Sequence, residues 1–125
     1  RAGMASRLSK LPVKNGVYLA HENCPQTYTE RNHDHPSMLA ALGVLRGEMV
    51  DRETMRRTLK KVMEVWDWPS TWGWDYPMIA MTAARLGETK LAIDALMIDT
   101  PKNRYSANGP TCRSICPEMA ACSTL

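Results

Sequence analysis

The chain has 125 residues, a formal net charge of +3, no phenylalanine, and only 11 Leu, 4 Ile and 6 Val. That length allows one domain at most. Nine Met and 13 Ala bring the apolar fraction to 44%, so the expected core is a thin one of Met, Ala and Trp. The near balance of charges excludes a disordered chain. The slight, dispersed excess of Lys and Arg argues against a nucleic-acid groove, and no apolar run approaches the roughly 18 residues of a membrane span. The first residue is Arg1 rather than Met, with no signal-like segment behind it, which reads as a chain cut from something longer.

Taken in order, the sequence predicts helices and little else. Only a short piece around residues 17–20 alternates as a strand would. Pro36 suits the first turn of a helix capped by Asp34 or His35, with Met38, Leu42 and Leu45 at helical spacing and Gly47 as the stop. Asp51 and Thr54 open a second helix, whose apolar stripe is Met55, Leu59, Val62, Met63 and Trp66. Its other face carries Arg56, Arg57, Lys60, Lys61 and Glu64, a solvated face of the kind a surface helix needs. Pro77 starts a third helix, where Ile79, Ala83 and Leu86 share one side and Gly87 ends the run. Leu91, Ala95, Leu96 and Ile98 mark a fourth so soon afterwards that the two must form an antiparallel hairpin. Ala80, Ala83 and Ala84 allow a neighbouring helix to approach closely. The fold class expected from these residues is all-α.

Two stretches stand out from this pattern. Residues 66–76 hold five of the eight aromatic residues of the chain. They read either as a loop folded onto its own helix ends, or as a platform for sugar rings with Asp75 taking hydroxyls. Residues 21–35 contain all three histidines (His21, His33 and His35) with Glu22, Glu30, Asp34 and Cys24. Three readings stay open for them. The imidazoles and thiol can ligate zinc, because an N/S donor mix with His-x-His spacing suits that metal. The carboxylates and imidazoles can line a cleft for a polyhydroxylated ligand. Alternatively, Asp34 caps a helix and the rest is a solvated loop.

Residues 15–45 (NGVYLAHENCPQTYTERNHDHPSMLAALGVL) and 71–103 (TWGWDYPMIAMTAARLGETKLAIDALMIDTPKN) closely resemble the C-terminal part of a bacterial six-hairpin glycosidase family. That family is related to glycoside hydrolase families 65 and 95. The likeness covers about residues 11 to 105, with two long motifs in order. It implies helical hairpins forming part of an (α/α)6 toroid, whose inner helices carry a sugar pocket at one end. The His33–Leu39 stretch is similar to the His-Arg-His-x-Ser-His-Leu stretch of family 95 α-L-fucosidases, where the first His contacts the sugar; His33 inherits that role by position. Asp34 stands where those enzymes have Arg, and Met38 where they have the second-last His, so the substrate does not carry over. Gly73-Trp74 and Ala84-Arg85-Leu86 match the Gly-Trp and Ala-Arg-Leu elements of the same enzymes. The resemblance tips the aromatic loop toward the pocket reading.

Relatives of that family continue with a stretch close to Leu-Pro-Leu-Tyr-Leu-Pro-Gly-Asn-Gly-Gly-Leu-Leu. Back-translated from the third base of each codon, Thr111–Leu125 restores that motif. Residues 110–125 are therefore expected to be a frameshifted, irregular tail behind a partial catalytic domain at residues 1–109. Three of the four cysteines (Cys112, Cys116 and Cys122) lie in this tail, which makes their metal-like spacing accidental.

The function expected is that of a glycoside hydrolase fragment that holds part of a carbohydrate pocket and is inactive alone. The alternative is a self-standing helical module binding carbohydrate or zinc. Glycoside hydrolysis needs an acid and a base flanking the bond, and the candidates in view are Glu22, Glu30 and Asp34, in that order. His33, His35, Trp72, Trp74 and Asp75 are the expected substrate contacts, and Glu22, Glu30, His33, Trp72, Trp74 and Asp75 should share one concavity. No cofactor or metal is expected, nor a nucleic-acid or membrane partner. Self-association is expected, through a helix flank that a whole toroid would cover.

Overall fold

Helices dominate the chain, which the computed structural model describes over residues 9–106 and 109–110. Helix α1 (Ala40–Gly43) is entered through a 3-10 turn at Ser37–Leu39, and is followed by α2 (Arg52–Val65), α3 (Asp75–Leu86) and α4 (Thr89–Leu96). The expectation of an all-α chain needs one correction, since two antiparallel pairs of two-residue strands join the helices: β1 (Val13–Lys14) with β2 (Val17–Tyr18), and β3 (Tyr105–Ser106) with β4 (Gly109–Pro110). In the first pair Val13 faces Tyr18 and Lys14 faces Val17. Asn15 and Gly16, both at positive φ (52° and 76°), make the turn between them. An Asn-Gly pair is a strong hairpin signal for this reason: both central residues tolerate the left-handed region that the strand twist demands. Beyond Pro110, the expected tail lies outside the described residues.

Helix α2 forms where its cap and stripe predict. The Asp51 carboxylate accepts the Thr54 N–H at 2.8 Å, satisfying one of the N–H groups that a helix start leaves without a partner. The Thr54 side chain, and then this N–H, hold the Asp51 carboxyl below its ordinary range. Met55, Leu59, Val62 and Trp66 are buried along one side. Polar bonds then tie β2 across α2: the Tyr18 N–H donates to the Thr58 hydroxyl at 2.9 Å, and the Tyr18 hydroxyl accepts the Asp51 N–H at 2.8 Å.

Helix α3 starts two residues earlier than Pro77 suggests. Proline fits inside a first turn because N–H groups there need no intrahelical partner. Ile79, Ala83 and Leu86 are buried as predicted. Gly87 ends the helix in the left-handed conformation at φ 82°, and α4 packs back onto α3 as a helical hairpin. Ala95 is fully buried between them, whereas Ile98 lies beyond the end of α4. There the Asn103 amide donates to the carbonyls of Leu96 and Ile98, both at 2.9 Å.

The first predicted helix is shorter than its spacing implies. It stops at Gly43, its first cap residue is Pro36, and no side chain caps it, so neither Asp34 nor His35 fills that role. Met38 and Leu42 are buried, but Leu45 is 63% exposed. The cause is a tight crossing of α1 on α3, where a Cβ at Gly43 would lie 2.4 Å from the Thr82 hydroxyl and 2.7 Å from the Met78 carbonyl. Past this crossing the chain turns away, and Arg85 takes the carbonyls of Leu42 and Leu45, the latter at 2.7 Å.

Candidate functional site

The segment from residue 20 to residue 35 has no regular structure, so its shape comes from side chains bonding to backbone. The Thr27 hydroxyl, fully buried, donates to the Cys24 carbonyl at 2.7 Å and accepts the Ala20 N–H at 3.2 Å. The Tyr28 hydroxyl donates to the Tyr18 carbonyl, and burial pushes its pKa up to about 12, which keeps it a donor. Asn32 closes the end of α2: its amide donates to the Val65 carbonyl, and its own carbonyl accepts the Asp67 N–H at 2.8 Å.

Asp34 is the residue on which the two unusual stretches converge. It holds a left-handed backbone at φ 62°, a conformation that Asp tolerates better than most side chains. Three groups of the aromatic loop fix it there. The Ser70 hydroxyl accepts its N–H at 2.8 Å, the Trp66 indole donates to its carbonyl at 2.9 Å, and the Trp72 indole donates to its carboxylate at 2.8 Å.

The next residue faces inward. His35 Nδ1 lies 3.1 Å from both carboxylate oxygens of Asp75, while Nε2 lies 3.5 Å from Asp34 Oδ1. The His35 ring packs against Trp74 at 4.4 Å between centroids and Trp72 at 5.7 Å. Asp75 has no exposed surface, and its second bond comes from the Trp72 N–H at 2.7 Å. Burial raises the Asp75 pKa, against the opposing pull of the Trp72 N–H and His35. The Lys102 ammonium lies 5.6 Å from the Trp72 ring centroid, a cation–π distance.

An open cavity of about 660 Å³ lies beside this cluster, with Glu30, His33, Asp34, His35 and Trp66 among its lining residues. The six residues expected in one concavity are therefore divided. Glu30 and His33 line the cavity. Trp72 and Asp75 stand behind His35, Trp74 is half exposed beside it, and Glu22 is exposed in a turn away from the lining. Asp75, read from sequence as a contact for sugar hydroxyls, instead spends both oxygens on His35 and the Trp72 backbone. Among the described residues, no three His, Cys, Asp or Glu side chains are grouped as metal ligands would be.

Thr27, Asn32 and Ser70 fasten the site, and none of the three belongs to a catalytic or metal-ligand motif or to an apolar period in the sequence. Their type was the available signal, since short hydroxyl and amide side chains in irregular segments commonly bond nearby backbone. Comparison with protein-family models, curated proteins and solved structures returns no match for this chain.

Proposed function

We propose that this chain carries part of a carbohydrate pocket, and that it is a segment of an (α/α)6 glycoside hydrolase. One observation carries the reading: the half-exposed indole of Trp74 lies against His35, and His35 in turn stands 3.5 Å from the carboxylate of Asp34, with both His35 and Asp34 lining the cavity. An aromatic face bordered by charged acceptors suits a pyranose ring, whose C–H face is apolar and whose rim is hydroxyls. Glu30 and Asp34 are the carboxylates facing that space, and Glu30 takes precedence over Glu22 as an acid–base candidate. The toroid is further supported by the α3–α4 hairpin and by Leu45, Ile93 and Met97, large apolar residues left mostly exposed, as they would be on hairpins lacking their neighbours. No described helix is long and apolar enough to cross a membrane.

The test is titration of the chain with a panel of neutral mono- and disaccharides, followed by tryptophan fluorescence. Saturable quenching is expected for at least one sugar, with a loss of about tenfold or more in affinity for Trp74→Ala, the scale of a binding hot spot. A flat response across the panel would overturn the reading.

A further inference from the structure

We infer that His35 is a proton-accepting base whose working atom is Nε2, and that Asp75 is the residue that positions it. The inference rests on the carbohydrate reading only for the identity of the hydroxyl that gives up the proton.

A carboxylate only accepts hydrogen bonds, so a neutral imidazole facing one places its proton on Nδ1 and leaves the Nε2 lone pair on the opposite edge. Asp75 has no freedom to do otherwise. Its side chain has no exposed surface, Oδ2 accepts the Trp72 N–H at 2.7 Å, and both oxygens sit 3.1 Å from His35 Nδ1. The rings of Trp74 and Trp72 restrain the imidazole further. At the opposite edge Asp34 Oδ1 is 3.5 Å from Nε2, farther than the 3.1 Å on the Nδ1 side, and that oxygen already accepts the Trp72 indole N–H, so it competes weakly for the ring proton. Asp34 and His35 both line the cavity. Asp34 is itself held by the Trp72 indole.

A ligand hydroxyl or a water placed against Nε2 would pass its proton there. The O–H bond breaks, its electron pair stays on the oxygen, and an N–H bond forms on the ring. The imidazolium then lies between two carboxylates, each within Coulombic reach. Neither Glu22 nor Glu30 has such a partner behind it, so this pair is better built for proton transfer than the carboxylates that the sequence alone puts forward.

The experiment is a two-bond ¹H–¹⁵N spectrum of the labelled chain at a pH where the histidines are neutral. His35 should show the Nδ1–H tautomer, while the exposed His21 and His33 show the Nε2–H form that free side chains favour. An Nε2–H ring at His35 would overturn the inference without any variant. Asp75→Asn sharpens it. The single amide oxygen would be claimed by the Trp72 N–H, the amide NH₂ would face Nδ1, and the His35 proton should move to Nε2. Acylation by diethyl pyrocarbonate at His35 Nε2, mapped by mass spectrometry, should then slow about tenfold or more, as expected for a base held in the wrong tautomer, while His21 and His33 keep their rates. A buried aspartate with a purely structural role would leave tautomer and rate unchanged, and that result would also overturn the inference. If Asp75→Asn fails to fold, the wild-type tautomer decides. Failure of every sugar to bind while the tautomer holds would sink the carbohydrate reading alone.

Discussion

The α3–α4 hairpin and the segment from residue 20 to residue 35 are held together by different forces. In the hairpin, Ile79, Ala83 and Ala95 have no exposed surface, and Gly87 turns the chain at its left-handed φ of 82°. Apolar burial and one turn residue account for it. In the other segment only Cys24 and Thr27 are buried. Its shape depends on the hydroxyls of Thr27, Tyr28 and Ser70, the Asn32 amide and two indoles. The difference shows that the candidate site is built outside the core, on directional bonds, so that its geometry and the stability of the fold should respond to separate substitutions.

The largest expected effect tests the apolar half. Ile79→Ala removes a fully buried side chain and should cost about 2–5 kcal/mol of unfolding free energy, the usual cost of such a truncation, read by urea denaturation. A loss below 1 kcal/mol would mean that this core is far looser than its burial indicates. Thr27→Val keeps the shape but deletes the hydroxyl that joins Ala20 to Cys24. It should lower the local opening free energy of this segment by about 1–2 kcal/mol and speed amide exchange across residues 20–31, while leaving the α3 and α4 amides unchanged. Uniform acceleration in both regions would erase the distinction.

Two aspartates sharpen the comparison by titrating in opposite directions. The Thr54 bonds hold the Asp51 carboxyl low, and burial drives that of Asp75 high. Carboxyl-carbon NMR should place the Asp51 midpoint below the ordinary aspartate value and that of Asp75 above it. The stability that Asp51 contributes is present above its unfolded pKa and disappears as pH falls through its lower folded value. The wild-type advantage over Asp51→Asn should therefore be full at neutral pH and vanish in acid. Asp75 has the opposite sign: its contribution is present below the unfolded pKa and is lost as pH rises through the folded one. The smallest effect is expected at the exposed Lys90–Asp94 pair, 2.6 Å apart on α4. Lys90→Ala should change stability by about 0.5 kcal/mol or less, measured against the same baseline.

Legibility in the sequence follows the same division. Helix α2 and the α3–α4 hairpin were readable because a local pattern dictates each: the Asp51–Thr54 cap, an apolar stripe, and Gly87. Helix α1 is shorter than its apolar spacing predicts because its end is set by a tertiary contact, the crossing of Gly43 on Thr82 and Met78. The Asn15-Gly16 turn carries a hairpin signal, but the alternation in sequence marks only the second of its two strands. At the site, the residue types were visible, but the arrangement was not. His35 and Asp75 lie 40 positions apart, and no spacing rule connects an imidazole at the mouth of one loop with a carboxylate in the first turn of a distant helix. For the same reason the aromatic loop's composition points Asp75 at a ligand, whereas burial turns it toward His35.

The exposed guanidinium of Arg85 gives the molecule a mechanical link. It grips the two carbonyls where α1 ends, while its own backbone carbonyl accepts from the Arg52 side chain at the start of α2. Three helix ends that share no stretch of sequence thus meet at one residue. The guanidinium and the carbonyl both belong to the last turn of α3, so loosening of that turn releases the exit of α1 and the head of α2 together. Opening of the amides of Val44 and Leu45, both bonded to the Ala40 carbonyl, should therefore occur in step with motion at the head of α2, as one breathing unit rather than two independent ones.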